Sequence, residues 1–212
     1  RKEKFQEEKH HELARRAAAE SAVLLKNTEN ILPLKDGCKI AVIGDFAVEP
    51  RYQGAGSSMV KPTFIETIKE AVKNYNFDVI GLARGYRRTG ESDDALRKEA
   101  LDIAAKADVV LYCFGLNEMS ETEGLDRTHM RIPQNQIELL KGISQVNNNI
   151  VGLLSGGASI EMPWNTLCKA ILHGYLSGQA GAAAMLDILS GKVNPSGRLA
   201  EGYPIRYEDT PA

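Results

Sequence analysis

The chain has 212 residues, 43% of them hydrophobic and 25% charged, an ordinary balance for a protein that folds around a core. Its formal net charge of −2, with no segment that concentrates Lys and Arg, argues against a dedicated nucleic-acid or anionic-membrane binder. No stretch approaches the apolar length that spans a bilayer, and residues 1–10 are charged, without the apolar run of a signal peptide.

Taken in chain order, residues 7–26 predict a separate helix with Leu13, Ala17, Val23 and Leu24 facing inward, ending in the polar residues 27–30 before Leu32-Pro33. Residues 39–44 form an apolar run closing on Gly44, the pattern of a buried parallel strand entering a turn. Residues 77–82, 108–115, 149–155 and 169–176 repeat that pattern. Helical windows lie between them. Ile65, Ile68 and Val72 share one face, as do Leu96, Ala100, Ile103 and Ala104. Leu139, Leu140, Ile143 and Val146 form the next face, and Ala182, Met185, Leu186 and Leu189 the last.

Strand–helix alternation at this spacing predicts right-handed crossovers and an α/β, doubly wound, mostly parallel sheet of five to six strands with helices on both faces. No repeat or linker rich in Gly, Ser or Pro interrupts it. Residues 194–212 read as irregular turns that stop without a terminating element, which suggests truncation.

Cys38, Cys113 and Cys168 are odd in number and far apart, in or beside apolar runs, so they predict core packing in a reducing, cytoplasmic setting rather than a metal site. The basic residues Arg84, Arg87 and Arg88 predict a solvated face. His10 and His11 read as solvated, His129 as a surface residue and His173 as a satisfied core histidine. Trp164 reads as a packing residue, with a sugar-stacking platform as the alternative.

In doubly wound sheets ligands gather beyond the carboxyl ends of the strands. That rule selects four segments: residues 45–62, 116–133, the Gly156-Gly157 turn and residues 177–181. The second holds the most charge, with Asn117, Glu118, Glu121, Glu123, Asp126 and Arg127. An acid/base carboxyl needs an exposed position and a neighbour that tunes it. Glu123 beside Gly124 meets that need, with Asp126 and Arg127 expected to pair. A solvated acidic cap on the next helix, with Pro133 near its first turn, fits the spacing too. The Gly-rich residues 53–60 either hold amides and hydroxyls against a ligand or form a simple connection. One Gly after the first apolar run, in place of G-x-G-x-x-G, argues against a dinucleotide site.

These segments carry a resemblance. Residues 17–27 with 31–34, then 40–44, 54–60, 121–127, 130–133, 161–164, 178–181 and 194–198 resemble, in order, the C-terminal α/β sandwich domain of glycoside hydrolase family 3, in its bacterial β-glucosidase branch. The resemblance implies a retaining hydrolase whose nucleophilic Asp lies on an N-terminal (β/α)8 barrel. The general acid/base comes from this domain, at Glu123, with Glu121 as the fallback, and Ser57 contacts sugar at the site entrance. Residues 1–30 become the link from that barrel and 31–212 the sandwich domain. The implied partners are the barrel and a β-glucoside or short β-glucan oligosaccharide, with room for an oligomer and no cofactor or metal. The nucleophile segment is absent from the chain, so the isolated domain is expected to be inactive. An inert sugar-binding or barrel-partner module, or the same chemistry on β-xylosides, are the alternatives. Relatives with Trp ahead of the acidic pair differ from this chain, which has Met119-Ser120.

Overall fold

The computed structural model describes residues 6–211. Its centre is one six-stranded sheet in the order β1-β6-β5-β4-β2-β3. The strands are β1 (Val23–Asn27), β2 (Lys39–Ile43), β3 (Asp78–Ala83), β4 (Val109–Gly115), β5 (Ile150–Ser155) and β6 (Ala170–Tyr175). β2 to β6 run parallel, and β1 pairs antiparallel with β6. Every residue of β4 is buried, as a strand covered on both faces must be.

Alternate side chains build two separate cores. Val42, Leu111, Val151 and Leu172 point to the side covered by α1 (Glu7–Ser21), α2 (Ile68–Ala71) and α5 (Gly181–Leu189). Ala41, Val110, Tyr112 and Ile171 point to the other side, under α3 (Asp94–Ala104) and α4 (Gln134–Val146). The doubly wound prediction holds, and the five parallel strands fall where the apolar runs placed them. Trp164 is buried with its ring edge-on to Phe114, a packing role. His173 is buried between the Leu154 carbonyl and the Tyr203 hydroxyl, the satisfied core histidine expected.

The N-terminal prediction needs correction. The helix stops at Ser21, Ala22 turns extended, and residues 23–27 enter the sheet as its edge strand. A Val-Leu-Leu run gains more as a strand on the open edge of β6 than as a further helical turn. The buried face of α1 is Ala18 and Ala19, leading into Ala22. Leu13 is 54% exposed and Ala17 is also exposed. The segment is thus integral to the sandwich rather than a separate helix. Two smaller corrections follow. The window around Ile68 is one α-turn followed by a 3-10 turn, and Val146 at the end of α4 is exposed.

The surface charges also differ from expectation. His11 is not solvated: the Gln179 amide lies 2.9 Å from Nδ1, and Nε2 meets the Glu66 carboxylate at 2.8 Å. Arg84 and Arg88 fold back onto the buried Asp45 and onto Glu49 and Glu118, while Arg87 pairs with Asp93. Acids of the neighbouring loops neutralise the basic cluster.

Candidate active site

The strand order fixes where a ligand has room. From β2 the chain moves outward to β3, then crosses back over β2 to β4 and continues to β5 and β6. The loops leaving β2 and β4 therefore diverge, and the crevice between them lies at the topological switch point. Those loops are the Gly-rich and acidic segments. An isolated parallel bridge between Ala55 and Thr122 ties them together. With Gly157 after β5 and Leu176 after β6 they line an open cleft of about 640 Å³.

Small residues let the two loops touch. Gly56 has φ +88°, and a Cβ there would lie 2.8 Å from that of Glu123. The Gly-rich run is a contact surface rather than a slack connection. Gln53 closes it by bonding both the amide and the carbonyl of Val60.

The acidic loop sorts its charges. Glu118 pairs with Arg88 at 2.8 Å, and Asn117 caps the short turn through the Ser120 amide. Asp126 and Arg127 do not form the expected pair: Arg127 Nη2 instead donates to the Ser159 carbonyl at 2.9 Å, while Asp126 is exposed. Glu121 turns inward to Arg51 and the Gly157 amide. Burial pushes its carboxyl above the usual range, and the Gly157 N–H and the Arg51 charge offset part of that rise. Glu123 alone among the loop's glutamates is exposed at the cleft with its carboxylate against the Gly-rich loop. The Ser57 hydroxyl and, at 3.1 Å, the Ser57 amide both donate to Oε2. These two bonds hold its carboxyl below the usual range.

The structure therefore brings together all three residues singled out from the sequence. Ser57 and Glu123 are in direct contact, with Glu121 two positions away beneath them. Arg51 was not singled out. Its signal was a cation, Pro50-Arg51-Tyr52, placed just ahead of the small, neutral run 53–60. His129 is exposed, its Nδ1 accepting the Arg131 amide at 3.2 Å, with no part in the cleft lining. A second groove lies between α1, α2 and α5. Arg15 and the Tyr75 hydroxyl both bind Asp187.

Fold and cleft together define a doubly wound α/β domain that presents carboxylates at its switch point. Residues 22–212 match the family model described as the glycosyl hydrolase family 3 C-terminal domain, and the chain belongs to that family. It is 46% identical over 211 residues to thermostable beta-glucosidase B of Acetivibrio thermocellus, covering 98% of this chain and 28% of that protein. It is 42% identical over 224 residues to an exo-alpha-(1->6)-L-arabinopyranosidase of Bifidobacterium longum, covering 99% of this chain and 29% of that protein. The crystal structure of the Bifidobacterium adolescentis GH3 beta-glucosidase superposes with a TM-score of 0.91 at 43% identity, over 98% of this chain and 31% of that one. The chain thus spans about three tenths of the length of these relatives.

Proposed function

We propose that this domain supplies the general acid/base of a retaining β-glucosidase-type hydrolase, and that Glu123 is that group. One observation carries the assignment: Glu123 is the glutamate of the acidic loop that reaches the switch-point cleft uncommitted to an ion pair. In a double displacement it protonates the departing glycosidic oxygen, then takes a proton from the water that frees the sugar. A second carboxyl roughly 5–5.5 Å away acts as nucleophile. We assign it to a (β/α)8 barrel packed over this cleft.

Ser57 supports the base half of the cycle. Two donors on one carboxylate oxygen favour the ionised form, which is the form that accepts a proton from water. For the acid half, Glu123 must be protonated, so substrate and barrel must draw Ser57 or the carboxyl out of that contact. A sugar hydroxyl taking over the Ser57 hydroxyl removes one of the two donors on Glu123.

The substrate we assign is a terminal β-linked glucose on a β-glucoside or short β-glucan oligosaccharide. A second glycone has specific support, since relatives 46% and 42% identical over this domain are named for different glycosides. A domain this similar does not fix the sugar, and the barrel is where we place that choice, β-xylosides included. The free thiols Cys113 and Cys168 are buried, and we place the protein in a reducing compartment such as the cytoplasm.

The test is Glu123→Gln in the full-length enzyme. Turnover of glucosides with poor leaving groups is expected to fall by about 10²–10⁴-fold, the usual worth of a positioned acid/base. Undiminished turnover would remove Glu123 from the mechanism.

A further inference from the structure

Two residues before Glu123, the loop buries a second carboxylate whose contacts join three different strand ends. Glu121 Oε1 accepts the Gly157 amide at 2.7 Å, and Oε2 accepts Arg51 Nη2 at 3.3 Å. Arg51 follows β2, Glu121 follows β4 and Gly157 follows β5. The side chains are 1% and 9% exposed for Arg51 and Glu121. Among the described residues, Glu121 is the hydrogen-bond partner of the Arg51 guanidinium, whose Nε has none. Space around the contact is tight: a Cβ on Gly157 would sit 3.3 Å from Glu121 Oε1 and 3.1 Å from Leu176.

Stability is a poor reason for this arrangement. Desolvating two charges is costly, and a well-packed apolar pair would hold the loops together as well. An ion pair with a backbone donor fixes direction, which apolar contact does not. Only Thr122 separates this anchor from Glu123, and the Thr122 backbone is itself bridged to Ala55. The position of the Glu123 carboxyl is therefore set from below by Glu121 and from across the cleft by Gly56 and Ser57.

We propose that Glu121 is a positioning residue: with Arg51 and the Gly157 amide it clamps the root of the acidic loop, fixing where the Glu123 carboxyl meets the glycosidic oxygen. This rests on Glu123 as the acid/base. Both Glu121 oxygens are occupied and the side chain is 9% exposed, which suits an anchor more than a proton donor to substrate.

The experiment uses the full-length enzyme and the variants Glu121→Asp, Arg51→Lys, Glu121→Ala and Glu123→Ala. The first two keep both charges and alter only reach and geometry. Rates on an activated aryl glucoside are expressed per active site, counted with a slow mechanism-based inactivator, so misfolded protein drops out. Each assay is repeated with azide, which replaces a missing acid/base carboxylate by capturing the glycosyl intermediate. Misplacing a reacting group by about 1 Å can cost 10²-fold. Glu121→Asp and Arg51→Lys are accordingly expected to lose roughly tenfold or more in kcat per site, with KM changed by less than about threefold and no rescue by azide. Glu123→Ala is expected to be rescued.

Per-site kcat within about twofold of the parent in both charge-preserving variants would overturn the clamp, leaving Glu121 a stability element only. Azide rescue of Glu121→Ala but not of Glu123→Ala would overturn it differently, by making Glu121 the acid/base. Absence of rescue in Glu123→Ala with normal turnover would strike the functional assignment instead of the clamp.

Discussion

Glu121 and Glu123 are the same side chain two positions apart, held in opposite surroundings. Burial raises the carboxyl of one, and two Ser57 donors lower that of the other. Spacing alone could not separate them, because an acidic loop reads the same whichever glutamate turns inward. What decides is the partner: Arg51 lies 70 positions upstream and is invisible to a local pattern. Glu123, the position before Gly124, stands exposed at the cleft with its carboxylate against Ser57, whereas Glu121 is buried beside Arg51. Removing the donor tests the electrostatics directly. Ser57→Ala leaves at most the backbone amide on Glu123, so its carboxyl is expected to titrate at higher pH than in the parent. Carboxyl NMR titration of the two proteins reads this, and an unchanged midpoint would show that the hydroxyl does not bind there in solution.

His173 gives a second residue-scale prediction, for stability. Burial lowers its pKa from 6.5 to about 4. The unfolded chain therefore binds a proton below about pH 6.5 that the folded chain refuses until about pH 4, and stability falls as pH drops through that window. At about 1.4 kcal/mol per unit the loss is on the order of 3 kcal/mol. Urea midpoints at pH 7 and pH 4.5 should move less in His173→Gln than in the parent. Equal shifts would mean the parent histidine is solvated or already charged.

At the scale of elements, the β2 and β4 runs were legible in part because they end on glycine, for a physical reason. Gly115 closes β4 at φ +144°, and a Cβ there would collide with the Ser155 carbonyl of β5. Gly44 closes β2 in the same manner against the Cys113 carbonyl of β4. Both glycines sit at the carboxyl edge from which the cleft loops depart, so they set the start of the Gly-rich and acidic loops. Gly115→Ala is expected to cost about 3 kcal/mol or more, combining the strained φ with the clash. Thermal or urea unfolding measures it, and a cost below about 1 kcal/mol would mean the strand ends yield easily. β1 was not legible for the converse reason. Residues 23–27 follow an Ala-rich helix with no glycine or proline between, and one extended residue, Ala22, makes the switch. Only the edge of β6, about 145 residues later, selects strand over helix there.

At the scale of the whole molecule, the described residues form one sandwich with its own core. Both faces of the sheet are covered, and β1 occupies the edge beside β6. The 212 residues are therefore expected to fold alone and unfold cooperatively. Catalysis is a different matter. Double displacement needs a nucleophile and an acid/base held roughly 5–5.5 Å apart on either side of one bond. In the acidic loop, Glu118 is paired with Arg88 and Glu121 with Arg51, so neither is free to attack an anomeric carbon. Asp126 lines the cleft, but on the same loop as Glu123 and three residues from it, so both carboxyls approach a sugar from one side. The isolated chain is accordingly expected to show native circular dichroism and no hydrolysis of an aryl glucoside above buffer. Turnover by the isolated chain that Glu123→Gln abolishes would place the nucleophile within this domain, and Asp126 would be the first residue to replace.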